Sequence, residues 1–326
     1  MRTLKKYTHI NATTIDEAVS VLGEPKAYAI AGGTDLLGVM RFELLPDDMY
    51  PNILVNLKSI SPTLEYIKEE GGMLKIGALT RLEDIAISPV VREKYAALAQ
   101  AASKTASPHL REMGTIGGNI CQHNRCWYFW TPDNRFSCLR KNPSGICYAL
   151  TGNNKFHSIY GAASGCVAVN PSDTAPALVA LNATIITSKK SIPIEEFFTV
   201  KVAPNGSGST SLDADEIVTE IQIPTPPSNS KSAFVKFALR ASIDFPIVNC
   251  AAYVNQGEAR ICLNAVAGNP KRVTAAESFI KDKPINEENA ESAGAEAVKG
   301  CLDLGKNKWK IQIAKTMVKR ALLACK

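Results

Sequence analysis

Four cysteines, Cys126, Cys138, Cys147 and Cys166, fall in one polar and aromatic stretch of this chain, just after the turn Thr115-Ile116-Gly117-Gly118-Asn119. A second glycine pair stands earlier, in Ala31-Gly32-Gly33-Thr34-Asp35-Leu36. Thiolates hold soft metals and iron–sulfur clusters. Paired glycines after an apolar strand let the backbone turn sharply and bring bare N–H groups up to an anion. Together they suggest a phosphate-bearing cofactor beside a metal cluster, and electron transfer as the chemistry.

Each motif also has a plainer reading. Any tight strand-to-helix turn favours glycine, although Thr34 and Asp35 offer a helix cap beside the exposed amides. Neither turn matches the Gly-x-Gly-x-x-Gly or Gly-Lys-Ser/Thr phosphate loops, so a Rossmann nicotinamide site is unsupported. Among the cysteines only Cys121 and Cys126 are close in sequence. Tight zinc pairs and ferredoxin-style runs are both missing. Spacing alone leaves iron–sulfur, zinc and buried thiols open. Cys250, Cys262, Cys301 and Cys325 sit in apolar contexts and read as small core hydrophobes. The four histidines form no hydrolytic constellation, and His123 reads as a polar loop contact rather than a ligand. The run Trp127-Tyr128-Phe129-Trp130 is suited to shielding a cluster or a subunit interface from water.

The elements that must position these residues are legible in outline. Thr14-Ile15-Asp16-Glu17 is a capping box for a short helix ending at Leu22. A strand over 27–31 leads through the first glycine pair into a helix over 35–45. Alternation over 64–79, broken by Glu69-Glu70-Gly71-Gly72, signals a hairpin. Residues 89–105 read as a helix, 161–170 as containing a strand, and 172–182 as a capped helix, with strands continuing through 217–223. After the linker 224–230, three strands (233–240, 247–254, 259–267) precede helices near 273–280, 286–298 and 309–324. The last places Ile313, Met317, Ala321 and Ala324 on one face.

The 326 residues allow two or three domains. With 45% hydrophobic and 21% charged residues and a net charge of +6, the composition is that of an ordinary globular protein. It has no basic block of the kind nucleic-acid binders carry. No apolar signal core follows the basic N-terminus, and no run approaches a membrane span. Nine cysteines without a signal sequence argue for a reducing compartment. The expectation is a cytoplasmic protein, with export alongside a signal-bearing partner left open.

Four motifs then recur in a known order: Ala31-Gly32-Gly33-Thr34-Asp35-Leu36, Ile76-Gly77-Ala78-Leu79-Thr80, Ala106-Ser107-Pro108 leading to Gly114-Thr115-Ile116-Gly117-Gly118-Asn119, and Asn170-Pro171-Ser172-Asp173. In these the chain resembles the FAD-binding medium subunit of the xanthine oxidase family of molybdenum hydroxylases. Ile223-Pro224-Thr225-Pro226 and Lys236-Phe237-Ala238-Leu239-Arg240 extend the resemblance over essentially the whole chain. It implies an α+β protein with a two-subdomain FAD-binding domain of the vanillyl-alcohol-oxidase (PCMH-like) type. A C-terminal domain like that of CO-dehydrogenase flavoproteins, with a three-stranded antiparallel sheet and helices, would follow. The implied domains are 1–60, 61–226 with an inserted loop at 120–168, and 231–326.

The stretch from Asn119 to Asp173 is far longer than in ordinary members. It resembles the insertion that carries a [4Fe-4S] cluster in 4-hydroxybenzoyl-CoA reductase and in periplasmic aldehyde oxidoreductase, with the long Cys147-to-Cys166 gap closer to the aldehyde enzyme. The resemblance implies Cys126, Cys138, Cys147 and Cys166 as cluster ligands, with Cys121 left over. It further implies that amides of Gly32 to Asp35 and of Gly117 to Asn119 cradle the FAD pyrophosphate. Hydroxyls of Thr34 and Thr115 would add donors, Ala31 and Leu36 would flank them, and Asp173 would accept from the ribose or adenine end. Substrate chemistry would belong to a large molybdopterin subunit, and two [2Fe-2S] clusters to a small one. This chain would carry no catalytic residue and would relay electrons to a ferredoxin-like or other one-electron carrier. A zinc-binding module without redox function and a self-sufficient flavin oxidase are the competing readings.

Overall fold

Thr14 opens the first helix as its local sequence requires: the hydroxyl accepts from the Glu17 amide at 3.1 Å, starting α1 (Ile15–Leu22). The Glu17 carboxylate reaches past the cap to the Thr13 amide at 2.7 Å, one residue earlier than a capping box places it. The computed structural model describes residues 3–326, so Met1 and Arg2 of the basic N-terminal stretch lie outside the described residues. Strands β1 (Thr8–Asn11), β2 (Ala27–Ile30) and β3 (Ile53–Asn56) form a parallel sheet in the order β1-β3-β2. The first glycine turn follows β2 directly and leads into α2 (Leu36–Arg41).

The second sheet is antiparallel. It takes β4 (Ile67–Glu70), β5 (Met73–Gly77), β6 (Thr184–Thr187), β7 (Ser191–Pro193) and β8 (Val218–Pro224) in the order β4-β5-β8-β6-β7. Gly71 and Gly72 turn the β4–β5 hairpin at φ 61° and 73°, a conformation that favours residues without a Cβ. One helix was expected over 89–105, but the chain forms α4 (Pro89–Lys94) and α5 (Ala96–Ser103), preceded by α3 (Leu82–Ile87). Tyr95 leaves helical geometry between them (φ −125°, ψ 46°) and is fully buried. Packing of its ring overrides the helix propensity of the alanine run.

Helix α6 (Pro108–Met113) leads through Gly114 and Thr115 into α7 (Ile116–Cys121), so the second glycine pair lies inside a helix and follows no strand. The cysteine stretch that follows is largely irregular, with one turn of helix, α8 (Tyr148–Thr151). The expected strand within 161–170 does not form. Gly161, Ser164 and Gly165 adopt positive φ, leaving two isolated bridges, Ala163 with Cys166 and Arg125 with Val169. Helix α9 (Thr174–Ala180) is wholly buried, and the Ser172 hydroxyl accepts from the Ala175 amide at its start. A short α10 (Ile194–Phe197) completes this part.

Beyond the 224–230 segment, β9 (Lys231–Phe237), β10 (Val248–Asn255) and β11 (Glu258–Asn264) form an antiparallel sheet, which a two-residue β12 (Lys271–Arg272) extends to four strands. Helices α11 (Thr274–Ile280), α12 (Glu287–Ala297) and α13 (Trp309–Leu323) cover it. Met317 and Ala321 are buried as the stripe predicts, and Ala314, Val318 and Leu322 complete the packed face. Ala324, the last residue of the expected stripe, is exposed. No helix among the described residues is long and apolar enough to cross a membrane.

Candidate cofactor cavity and cysteine loop

The residues after β2 make a turn that only glycine permits. A Cβ on Gly32 would lie 2.2 Å from the Met113 carbonyl oxygen and 2.9 Å from Gly114 Cα, so the two glycine turns touch backbone to backbone. Gly33 follows at φ 70°. No acceptor in the described chain takes the amides of Gly32, Gly33, Thr34, Asp35 or Leu36. Ala31, these five residues, Thr115, Gly118 and Asn119 line a cavity of about 400 Å³. Thr105, Ala106, Gln122, His123, Arg125, Asp173, Ile243 and Phe245 also contribute to its wall.

The second turn is built differently from the sequence expectation. The Gly117 amide donates to Ala78 O at 2.9 Å, and its Cβ would press on the same oxygen, so Gly117 faces the sheet and not the cavity. The Gly118 amide donates to the Thr115 hydroxyl at 3.2 Å and the Asn119 amide to Thr115 O at 2.8 Å. The Thr115 cap and the contact with Ala78 have therefore already used the amides of this turn. Asn119 instead braces the next motif, its Oδ1 accepting from the Ser172 and Thr174 hydroxyls at 2.6 Å each.

Asp35 stands at the N-cap of α2, but its side chain makes no cap bond. It turns to Arg125, whose Nη2 donates to Oδ1 at 2.5 Å, and accepts the His123 amide at 3.0 Å on Oδ2. Burial favours the protonated acid, but Arg125 and His123 outweigh it and hold the carboxyl well below the usual carboxylate range. The Arg125 guanidinium lies 3.9 Å from the Trp130 ring centroid and 4.3 Å from that of Phe245. A charge-assisted bond plus two aromatic faces fixes this wall of the cavity. His123 is a polar loop contact, as its sequence context implies.

Asp173 also lines the cavity, with both oxygens engaged: Lys236 Nζ donates to Oδ2 at 2.7 Å and Asn249 Nδ2 to Oδ1 at 2.8 Å. Burial pushes its carboxyl up, and Lys236 opposes that shift. Lys236 lies in β9 and Asn249 in β10, so the third sheet supplies both partners.

Arg125 is followed at once by Cys126, and the loop folds the four cysteines into one neighbourhood. Cys126 lies within electrostatic reach of Cys166 and Cys138, and Cys166 within reach of Cys147 and Cys138. Gly145 permits the approach of the middle pair: a Cβ there would lie 2.5 Å from the Cys138 carbonyl carbon, where Cys138 bridges Ile146. Burial drives the Cys126 thiol up to about 12 and raises Cys166, whereas amides of Phe129 and Tyr128 on Cys126, and of Ala168 on Cys166, favour the thiolates. His157 joins this group, its Nε2 3.2 Å from Cys126 Sγ. Burial lowers its imidazole to about 4, and no sequence motif marks it. Among the described residues, no three His, Cys, Asp or Glu side chains converge on a single metal-ion position. Cys121 lines the cavity instead, its thiol driven up to about 12 by burial. Cys250, Cys262 and Cys325 are buried core residues, whereas Cys301 is half-buried.

The family described as the FAD binding domain in molybdopterin dehydrogenase matches residues 5–226, and the CO dehydrogenase flavoprotein C-terminal domain matches 233–325. The aldehyde oxidoreductase FAD-binding subunit PaoB of Escherichia coli is 33% identical over 84% of this chain and 85% of its own length. The carbon monoxide dehydrogenase medium chain of Hydrogenophaga pseudoflava is 27% identical over 95% of this chain and 94% of its own. A solved carbon monoxide dehydrogenase from that organism, lacking the Mo-pyranopterin moiety, superposes with a TM-score of 0.75 at 25% identity. It covers 99% of this chain and 98% of the other. The chain belongs to the FAD-binding medium subunits of the xanthine oxidase family of molybdenum hydroxylases. It is an oxidoreductase subunit, and FAD is its cofactor.

Proposed function

We propose that this chain is the electron-relay subunit of a heterotrimeric molybdenum hydroxylase of aldehyde oxidoreductase type, with FAD in the glycine-lined cavity and a [4Fe-4S] cluster in the cysteine loop. The adjacency of Arg125 and Cys126 carries this reading, because one residue walls the cavity and the next belongs to the thiol group. FAD, when bound, supplies a centre that takes electrons in pairs and releases them singly to a one-electron group nearby.

The chain's own residues prepare both sites. Unclaimed amides from Gly32 to Leu36 suit a pyrophosphate, and the hydroxyls of Thr34 and Thr115 add donors. With its amide spent on Ala78, Gly117 serves by packing, and Gly118 and Asn119 shape the wall. Asp173 keeps lone pairs beyond its two bonds for a ribose or adenine donor. Cys126, Cys138, Cys147 and Cys166 are the proposed ligands. Their fit to an iron–sulfur group rests on soft donors, burial and N–H groups aimed at sulfur. The identity to PaoB favours an aldehyde-type complex over carbon monoxide or N-heterocycle enzymes. The proposed partners are a large molybdopterin subunit, a small [2Fe-2S] subunit and a ferredoxin-like carrier. The FAD subdomains would span 1–60 and 61–226, and the C-terminal domain 231–326.

The absorption spectrum of anaerobically purified protein tests the reading. Flavin bands over a broad shoulder, with about four irons per chain and negligible zinc, are expected. Flavin bands with stoichiometric zinc would replace the cluster with a structural metal. Cys138→Ser is expected to remove the shoulder and leave FAD bound, and loss of both would merge the two sites.

A further inference from the structure

Arg140 and Lys141 follow Cys138 closely in the chain, and both are buried, at 1% and 4% exposure. The Arg140 guanidinium donates through Nη2 alone, to Ser207 O and, at 3.4 Å, to Ser209 Oγ. Its Nε and Nη1 are buried without a partner. Lys141 Nζ donates to Phe129 O at 3.0 Å. Both cations lie over the Phe129 ring, at 4.4 and 4.7 Å from its centroid. Among the described residues neither is paired with a carboxylate. The titratable groups of opposite sign beside them are the cysteines: Arg140 acts on Cys166, and Lys141, whose amide donates to Cys138 O at 2.8 Å, acts on Cys138 and Cys126.

Two adjacent buried cations are costly, because each loses its hydration and each repels the other. Neutral thiols offer nothing to balance them. A cluster core of about +2 ringed by four thiolates carries about two net negative charges, which matches the pair. We infer that Arg140 and Lys141 are the fixed counter-charge of the group held by Cys126, Cys138, Cys147 and Cys166. Their positive field stabilises the bound anion and its reduced, more negative state. The unpaired Nε and Nη1 of Arg140 are donors left for that anion. This inference rests on the cluster reading above. It makes the two cations positioning residues that tune the group and do not ligate it.

The test uses the full chain, purified without oxygen, as wild type, Arg140→Met, Arg140→Lys and Lys141→Met. Iron, acid-labile sulfide and FAD content are measured, with the rate of iron loss to a chelator and the midpoint potential from the reduced-state EPR signal. Melting of the iron-stripped, flavin-loaded chain is measured alongside. Each Met variant should lose iron at least tenfold faster, with a more negative midpoint and unchanged FAD. Once stripped of iron, it should melt above the stripped wild type, because an unbalanced charge is gone. Arg140→Lys, which keeps the charge but not the Nε and Nη1 donors, should fall between wild type and Arg140→Met. Met variants with wild-type iron retention and midpoint overturn the inference. So does Arg140→Lys behaving like Arg140→Met, which would make shape and not charge decisive. A Met variant that loses FAD together with iron overturns it as well, since the residue would then be holding the fold. Wild-type chain with full FAD but no iron or sulfide overturns the cluster reading itself, a different and separately visible failure.

Discussion

At the scale of single residues, Gly32 and Asp35 decide the cavity in different ways. Gly32 lets one backbone lie against another, so Gly32→Ala must push the 113–114 segment away. A cost of about 1–3 kcal/mol in stability is expected, together with loss of FAD retention on gel filtration. Gly118→Ala, whose Cβ would meet only the Thr115 hydroxyl at 3.1 Å, should retain more flavin than Gly32→Ala. Asp35→Asn leaves Arg125 without its anion. Because the pair is partly exposed, the expected loss is roughly 1–3 kcal/mol, below that of a fully buried pair. The folded-state pKa of Asp35 is depressed. Its contribution is therefore complete above the unfolded value of about 4 and lost as pH falls through the folded value. Chemical denaturation should show a constant gap between wild type and Asp35→Asn from pH 5 to 8, shrinking only below about pH 4. A gap that closed near neutrality would sink the assignment.

At the scale of elements, turn chemistry is separable from the cofactor site. The β4–β5 turn holds two glycines at positive φ with open space where a Cβ would go, so strain is the only penalty of substitution. Gly72→Ala should cost about 1–2 kcal/mol, and Gly72→Asn should recover much of it, since asparagine tolerates that conformation. FAD content should stay unchanged in both, as a thermal melt beside a flavin spectrum will show. The α4–α5 break makes the complementary point. Alanine content predicts one helix, yet burying Tyr95 gains more than continuing the hydrogen-bond ladder across one residue.

At the scale of the whole molecule, Lys310 ties the last helix to the cysteine loop. Its ammonium, fully buried in α13, donates to the carbonyls of Phe156 at 3.0 Å, His157 at 3.2 Å and Ala265. This clamp spans 153 positions between His157 and Lys310. Burial lowers the lysine to about 7, against an unfolded value of about 10.4. Between those values the unfolded chain binds more protons, so wild-type stability should rise with pH, on the order of 1 kcal/mol per pH unit at most. Lys310→Met should lack that rise between pH 7 and 10 in urea titrations. Parallel slopes would show that Lys310 stays charged in the folded protein. The variant should also loosen the 156–157 segment, read as faster amide exchange there.

Local sequence determined the glycine turns, the hairpin, the short capped helices, the antiparallel C-terminal strands and the cysteine-bearing loop, because turn geometry and side-chain periodicity depend on residues adjacent in the chain. Tertiary structure alone decided what those parts face. Asp35 meets Arg125 across 90 positions, Asp173 meets Lys236 across 63, and Arg140 reaches Ser207 across 67. It also turned Gly117 into the sheet, spent the amides of the second turn and set His157 against Cys126. Such partners are chosen when packed layers exclude water and leave each buried charge to find a counterpart, and no local pattern records that choice.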